Sequence, residues 1–515
     1  MCKLRLVLPT ALVAILLIGS PPPTAAPADE DARDVAASSQ AIDKLLAGLA
    51  KDQKVLLSPP AGDLEWLRRV TLDLIARLPT EVEIRAFEGA TGPDKRTRRV
   101  DDLVASDEFS EYWGNLWARE LLERHFKTSN WISRERWIGY VISVFRANKP
   151  YQQMVREMIE AEGDARDIGA TNFVLSCDGD AAEIAGTLTR QLLGISMQCA
   201  QCHDHPYEKW KQKDFWGVAA YFARAKTETY MVKDATYYVL KESKDGELEI
   251  PRREGLRVQP NFPVAGVPNK LSDKGNRRQT LAAILLLPEN ARLAEVAVNR
   301  VWRHFFGAGF VEPQDGFGEK PMTKFAAPLR RLAEDFARHR FDLKRLIRVV
   351  VLSETYARSS VTDRPGEDPT AFERARVRRL NDFQRFAALL QATGYRKAVL
   401  GWNGGDEAKA GETIAWLRQR FVDIPDERSR TTMYFNGEMV RHAVEGGPVI
   451  PGMIEEGLEY APALDRLFLA TLSRHPTMAE TERLSRRLDE ADDLAAAYKG
   501  VFWGLLNSLE FQTNH

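Results

Sequence analysis

From residue 42 onward apolar side chains recur every three or four positions. Ile42, Leu45, Leu46 and Leu49 share one helical face, and Leu64, Leu67, Val70, Leu74 and Leu78 share another. Pro79-Thr80 stops the second helix and caps the next, "EVEIRAFEG". The series continues through "GPDKRTRRVDDLVAS", "DEFSEYWGNLWARELLERHF", "ERWIGYVISVFRANKP" and "YQQMVREMIEAEG". A further helix from Glu183 carries Ile184, Leu188, Leu192 and Ile195 on one face and is expected to run directly into Cys199. The period changes after Thr227. There "TYMVKDATYYVLKESKDGELEIPRR" groups β-branched and aromatic residues between turn signals and predicts two or three short strands. The Pro/Gly-rich "GLRVQPNFPVAGVPNKLSDKGNRR" reads as a connection, and helical periodicity resumes at "RQTLAAILL". The predicted class is mainly α. A helical domain over 39–225 and another over 277–515 are joined by a small strand-rich insert and connection over 226–276. No repeat of about 20–50 residues is visible, which excludes a solenoid.

The N-terminus carries a different pattern. Lys3 and Arg5 precede the apolar run "LVLPTALVAILLIG", which is followed by "SPPPTAAPADEDARD". This is the layout of a secretory signal, residues 1–26, followed by a flexible linker over 27–38. Cleavage is expected after Ala26 or Ala28. An uncleaved anchor is the competing reading, but the run is short for a span of about 20 residues, and no other stretch is long and apolar enough to cross a membrane. The mature chain is expected to be secreted or periplasmic, with no stable membrane span. With 72 basic and 73 acidic side chains among 515 residues, it has no basic excess to suggest nucleic-acid binding.

Export changes how the cysteines read. Loss of Cys2 leaves Cys177, Cys199 and Cys202, which cannot all pair, and the loop from Cys199 to Cys202 is too short to staple effectively. The chain has four cysteines and eight histidines, yet "QCAQCHDHPYEKW", from Gln198, holds two of each. Cys199, Cys202 and His203 form C-x-x-C-H, an attachment signature for c-type haem. Thiols three residues apart on one side of a helical turn can add to both vinyl groups of a porphyrin, and the next residue sets its imidazole under the iron. Tyr207, Trp210, Phe215, Trp216, Tyr221 and Phe222 are candidates either for an apolar wall or for ordinary core. Met231, Met197, His125 and His205 are candidates for the sixth iron position.

Other chemistry fits the same residues. Cys177, Cys199, Cys202 and His203 would make a closed Cys₃His zinc site, in which His205 can replace any one ligand. A redox-active pair is a third reading, although the βαβ pattern of thioredoxin-like motifs is missing. Reduced core thiols are the fourth. Elsewhere, His304 and His442 sit on apolar helical faces as core histidines. Asp63, Asp73, Asp101 and Asp102 fall near helix ends or on polar faces, where capping and solvation explain them. There is no G-x-S-x-G, H-E-x-x-H or Walker loop, so no hydrolase constellation is legible.

Longer stretches carry a family resemblance. "LEWLRRVTLDLIARLPTEVEIRAFEG", "DKRTRRVDDLVASDEFSEYWGNLWARELL" and "LLGISMQCAQCHDHPYEKWKQKDFWGVAAYFARAK" resemble domain of unknown function 1549, the second region of secreted cytochrome-like proteins of Planctomycetes. "VNRVWRHFFGAGFVEPQDGFG", "FDLKRLIRVVVLSETYARSS", "TLSRHPTMAETERL" and "LLNSLEFQTNH" resemble its companion, domain of unknown function 1553. The resemblance covers nearly the whole mature chain and implies a cytochrome-like role through Cys199, Cys202 and His203, although no activity is established for the family. Three departures stand out. A separate N-terminal cytochrome c domain is absent, "EKPMTKFAAP" replaces the usual Pro-Ser-His-Pro stretch, and the region between "LLQATGYRK" and "FVDIPDERSR" is short. The leading expectation is an exported protein with one c-type haem, used for electron transfer or haem-dependent chemistry with a redox partner protein. The alternative is a non-enzymatic secreted scaffold held by a structural Cys/His metal site.

Overall fold

The computed structural model describes residues 28–122, 125–129, 131–251, 255–264, 267, 276–318, 323–361, 367–422 and 438–515. The expected signal peptide lies outside them. The first described element corrects the expected flexible linker over 27–38, because α1 spans Ala28–Asp52. Its opening, "ADEDARDVAASSQ", is rich in alanine, and its acidic residues sit near a helix N-terminus, where the dipole favours them. Val35, Ile42 and Leu46 enter the core. The Ser38 hydroxyl donates to Asp335 at 2.7 Å, and Asp34 pairs with Arg345 at 2.6 Å. The linker composition therefore concealed a packed helix.

The fold is mainly α, as predicted. After α1 come α2 (Asp63–Ile75), α3 (Glu81–Gly89), α4 (Lys95–Ala105), α5 (Asp107–Leu122) and the short α6 (His125–Thr128). They are followed by α7 (Arg134–Arg146), α8 (Tyr151–Glu160), the short α9 (Asn172–Leu175), α10 (Ala181–Leu193) and α11 (Gln212–Ala219). Thr80 caps α3 through a capping box with Glu83, where Pro79-Thr80 predicted a stop and start. The expected strands form a hairpin of β2 (Ala225–Val232) and β3 (Ala235–Glu242), extended by β1 (Gly163–Asp164) in the order β1-β3-β2. Tyr230 stands opposite Tyr237 in the antiparallel register.

The second half begins with α12 (Arg277–Leu285), α13 (Arg292–Phe306), α14 (Ala326–Arg338) and α15 (Leu343–Val351). It continues with α16 (Asp382–Thr393), α17 (Tyr395–Trp402) and α18 (Glu407–Val422), then with helices Glu438–Gly446, Val449–Glu455, Tyr460–Leu472, Met478–Asp489 and Leu494–Leu506. The hydrophobic interior does not divide at the strand-rich insert. One cluster gathers residues from Val35 to Phe372, with Phe383 and Leu469, and takes in α2, α5, α10, α11, α13 and α15, while a second gathers Leu380 to Phe511 with Leu72 and Leu78 of the first half. Side chains on both sides of the insert thus share a core.

Buried arginines join these parts. Fully buried Arg278 donates to the carbonyls of Ile159 and Ala161 at the end of α8, at 3.0 and 2.8 Å. Arg300 donates to the Gln191 carbonyl near the end of α10 at 3.0 Å. From α2, Arg68 reaches the carbonyls of Thr471, Glu510, Phe511 and Thr513 at 3.0–3.3 Å. The expectation that Asp73 is a capping or solvated carboxylate is corrected here, because its exposure is 0%. Arg378 grips both its oxygens at 2.9 and 2.8 Å, and the Tyr356 hydroxyl and Asn514 amide donate to them at 2.9 and 2.8 Å. Position alone hid this role, since the three partners lie some three to four hundred residues downstream.

Removing one member of a buried ion pair leaves an uncompensated charge, so Asp73→Ala should cost about 3–5 kcal/mol in urea unfolding. His304 is partly buried against the core and donates Nε2–H to the Asp73 carbonyl at 3.3 Å. Burial pushes its imidazole down to about 4, against about 6.5 in an unfolded chain. Between those values the unfolded state binds a proton that the folded state does not. Stability is therefore complete above about pH 6.5 and should fall as the pH drops towards 4. His515, which burial also lowers to about 4, acts in the same window. His304→Gln should reduce, without abolishing, the pH slope of the unfolding free energy between pH 6.5 and 4.

Candidate functional site

The helix before the C-x-x-C-H motif does not run directly into Cys199. It stops at Gly194, whose φ of +63° suits glycine, and a Cβ there would lie 2.5 Å from the Phe317 ring. The Gly194 carbonyl accepts from Phe317 N at 3.0 Å, and Ile195 bridges to Gly316. A separate 3-10 turn, Gln198–Gln201, then carries the first thiol, and Cys202 is its C-cap. Residues three apart eclipse one another in such a turn, which puts Cys199 and Cys202 on the same side. Both are exposed, whereas Ala200 between them is buried.

The backbone beneath the thiols is held from α11. The buried Gln212 side chain donates to the carbonyls of Gln201 and Cys202 at 3.2 and 3.0 Å, and Trp216 Nε1 donates to Gln201 O at 3.0 Å. Gln212 N donates to Asp204 Oδ1 at 3.0 Å. Gln198 fills the space over Gly186, where a Cβ would come within 2.4 Å of its Oε1.

The two histidines take opposite roles. His203 is exposed, with Nδ1 2.7 Å from the Asp204 carbonyl. A carbonyl only accepts, so Nδ1 carries the hydrogen and the neutral ring has its lone pair on Nε2, the tautomer of a metal-ligating imidazole held through Nδ1. In His205, Nδ1 accepts from the backbone N–H groups of Tyr207 and Glu208 at 3.2 and 3.0 Å. That contact puts the hydrogen on Nε2, and His205 braces the turn around Pro206.

Cys177 stands apart from the exposed pair. It is buried, its Sγ donates to Thr187 Oγ1 at 3.7 Å, and burial pushes its thiol up to about 11. Thr187 Oγ1 also lies 2.9 Å from Nε2 of the buried His125. Among the described residues no group of three or more His, Cys, Asp or Glu side chains is arranged to hold a metal. The zinc set of Cys177, Cys199, Cys202, His203 and His205 is therefore not assembled, because one thiol is in the core and one imidazole is spent on a turn.

The aromatic residues also separate. Trp210, Phe215, Trp216, Tyr221 and Phe222 belong to the main core, and only Tyr207, 93% exposed, remains at the surface. Met197 is buried, as is His125, and Met231 is exposed on β2. Asp63 pairs with Lys95 and Arg96, Asp101 with Arg348, and Asp102 is exposed. The His442 side chain lies outside the described residues. What the motif alone did not disclose is the support from Gln212, Trp216 and the Asp204 carbonyl. Their proximity in sequence was the available signal.

The molecule is thus a mainly α protein that presents two thiols and an imidazole on a braced surface turn. It belongs to the proteins in which a DUF1549 region is followed by a DUF1553 region. Residues 41–227 match the PSCyt2 family, "protein of unknown function (DUF1549)", and residues 277–437 match the PSD1 family, "protein of unknown function (DUF1553)". No curated protein and no solved structure matches the chain.

Thiol labelling checks this geometry. In haem-free protein lacking residues 1–26, a maleimide reagent should modify Cys199 and Cys202 quickly and Cys177 only after denaturation. Equal rates at all three positions would contradict it.

Proposed function

We propose that this is an exported cytochrome-like protein that carries one c-type haem, joined to Cys199 and Cys202 with His203 as the proximal ligand, for electron transfer or haem-dependent chemistry. The observation that carries the reading is the His203 Nδ1 contact with the Asp204 carbonyl at 2.7 Å, which leaves Nε2 of this exposed ring as the electron-pair donor on the same turn as two exposed thiols. The donor set fits the group in attachment and axial ligation. Apart from Tyr207, the neighbouring aromatics are committed to the core and supply no cover. Bound haem would supply a one-electron couple. The chain's own contribution is to hold the attachment backbone through Gln212 and Trp216 and to orient the imidazole through Asp204. With one such centre per chain, a redox partner protein would have to deliver or remove electrons. Export belongs to the same proposal, since c-type haem is attached outside the cytoplasm.

Protein exported by a host competent in c-type haem maturation should give a pyridine haemochrome spectrum with about one haem per chain. Its N-terminus should follow Ala26 or Ala28. The double variant Cys199→Ser, Cys202→Ser should lose covalent haem, and His203→Ala should keep the thioether linkages with an altered Soret band. Colourless exported protein, or a cytoplasmic chain beginning at Met1, would overturn the reading.

A further inference from the structure

Away from the C-x-x-C-H turn, the seam between the two hydrophobic clusters leaves a cavity of about 640 Å³. Ile75 and Tyr112 line it from the first cluster, and Phe386 from the second, with Leu390 packed against that cluster. Neither core fills the space, which is of the size that takes a small organic ligand, about 300–1,000 Å³.

The charges on its wall do not balance. Arg77, Arg146, Arg396 and Arg418 line it against Glu108 and Glu111. Arg77 is matched by Glu83 and Glu108 at 2.7 and 2.9 Å, Arg146 by Asp107 at 2.9 Å and Arg396 by Glu407 at 3.5 Å. Half-buried Arg418 has no hydrogen bond or ion pair among the described residues, and its guanidinium lies 5.7 Å from the centroid of the Phe383 ring. Arg119 lies over the same ring at 5.2 Å, so two cations share one aromatic face or edge. Burial pushes Arg418 below its ordinary value, Arg119 adds to that shift, and Glu111 opposes it without reaching ion-pair distance. Among the described residues this guanidinium has no counter-ion.

We propose that this cavity binds an amphipathic carboxylate, with the carboxylate on Arg418 and the apolar part against Phe383, Phe386, Leu390 and Ile142. The planar guanidinium fork matches a carboxylate in two parallel hydrogen bonds. The apolar lining favours an organic acid over an inorganic anion, which would leave those side chains against water. The inference does not depend on haem at Cys199 and Cys202.

Isothermal titration of the intact exported protein tests it, using phenylacetate, 4-phenylbutyrate, hexanoate and octanoate, with 4-phenylbutanamide as the neutral analogue and sulfate as the inorganic anion. At least one carboxylate should bind with saturation. The amide and sulfate should bind at least about tenfold more weakly, in keeping with loss of a charge-assisted pair. Arg418→Gln should weaken carboxylate binding by a similar factor. Gly139→Leu offers an independent variant, because Gly139 lines the cavity and a Cβ there meets nothing within 4 Å. It should block binding by filling the space, leaving Arg418 in place. The proposal is overturned if no carboxylate binds at millimolar concentration, if the amide or sulfate binds as tightly, or if either variant, folded by circular dichroism, binds as the parent does.

Discussion

Four helix C-termini in this protein end on buried or partly buried guanidinium groups that come from distant parts of the chain. The last carbonyls of a helix lack intrahelical donors and carry the negative end of its dipole, so a buried end needs a donor and favours a cation. Arg278 meets this need for α8, Arg300 for α10, Arg378 for α13 through the His304 carbonyl, and Arg68 for helix Tyr460–Leu472 through Thr471. Burial is costly for these cations. It pushes Arg68 down to about 10, and several carbonyls rather than one carboxylate hold the charge. An orphaned carbonyl and an unpaired guanidinium are each unfavourable in the interior, and bringing them together removes both penalties. Arg378 goes further by also pairing with Asp73, so that α2, α13 and the segment around Asn514 meet at one carboxylate.

This device explains why the two matched regions do not behave as two cores. The sequence families end near 227 and resume at 277, yet the donors of Arg278 and Arg300 lie in one region and their acceptors in the other. Contacts at the C-x-x-C-H turn repeat the arrangement. Phe317 N bonds to the Gly194 carbonyl, Ile195 bridges Gly316, and Glu208 covers Gly318 closely enough that a Cβ there would come within 2.9 Å of it. The motif belongs to the first region by sequence, but the second region supports the turn that bears it.

The helical class, the Thr80 cap and the β2–β3 hairpin were legible because each depends on neighbours within a few residues. Three features were not. The helix over 28–38 was masked by a composition shared with linkers, and its commitment comes from Arg345 and Asp335 far downstream. Asp73 looked like any carboxylate on a helix, since nothing nearby in sequence announces Arg378 or Asn514. The stop at Gly194 was overlooked because Ile195 continues the apolar period; the interruption follows from Phe317 leaving no room for a side chain. At the candidate site the donor atoms were legible from spacing, but their division into exposed and buried sets needed the fold. Cys177 is as close to the motif as many ligand pairs are, yet it lies in the core with its thiol pushed towards the protonated form.

That division bears on what the turn is for. A metal staple is useful where a short segment has too few internal contacts to hold itself. Here the backbone of Gln201 and Cys202 is already fixed by Gln212 and Trp216, the preceding residues by Gly194 and Ile195, and the following turn by His205. Nearby aromatics that might have collapsed over the thiols are in the core, and one of them, Trp216, uses its indole N–H to brace the turn from beneath. The result is a braced backbone on which Cys199, Cys202 and His203 are all exposed. A fixed frame with exposed donors suits a group added after folding better than a metal needed in order to fold.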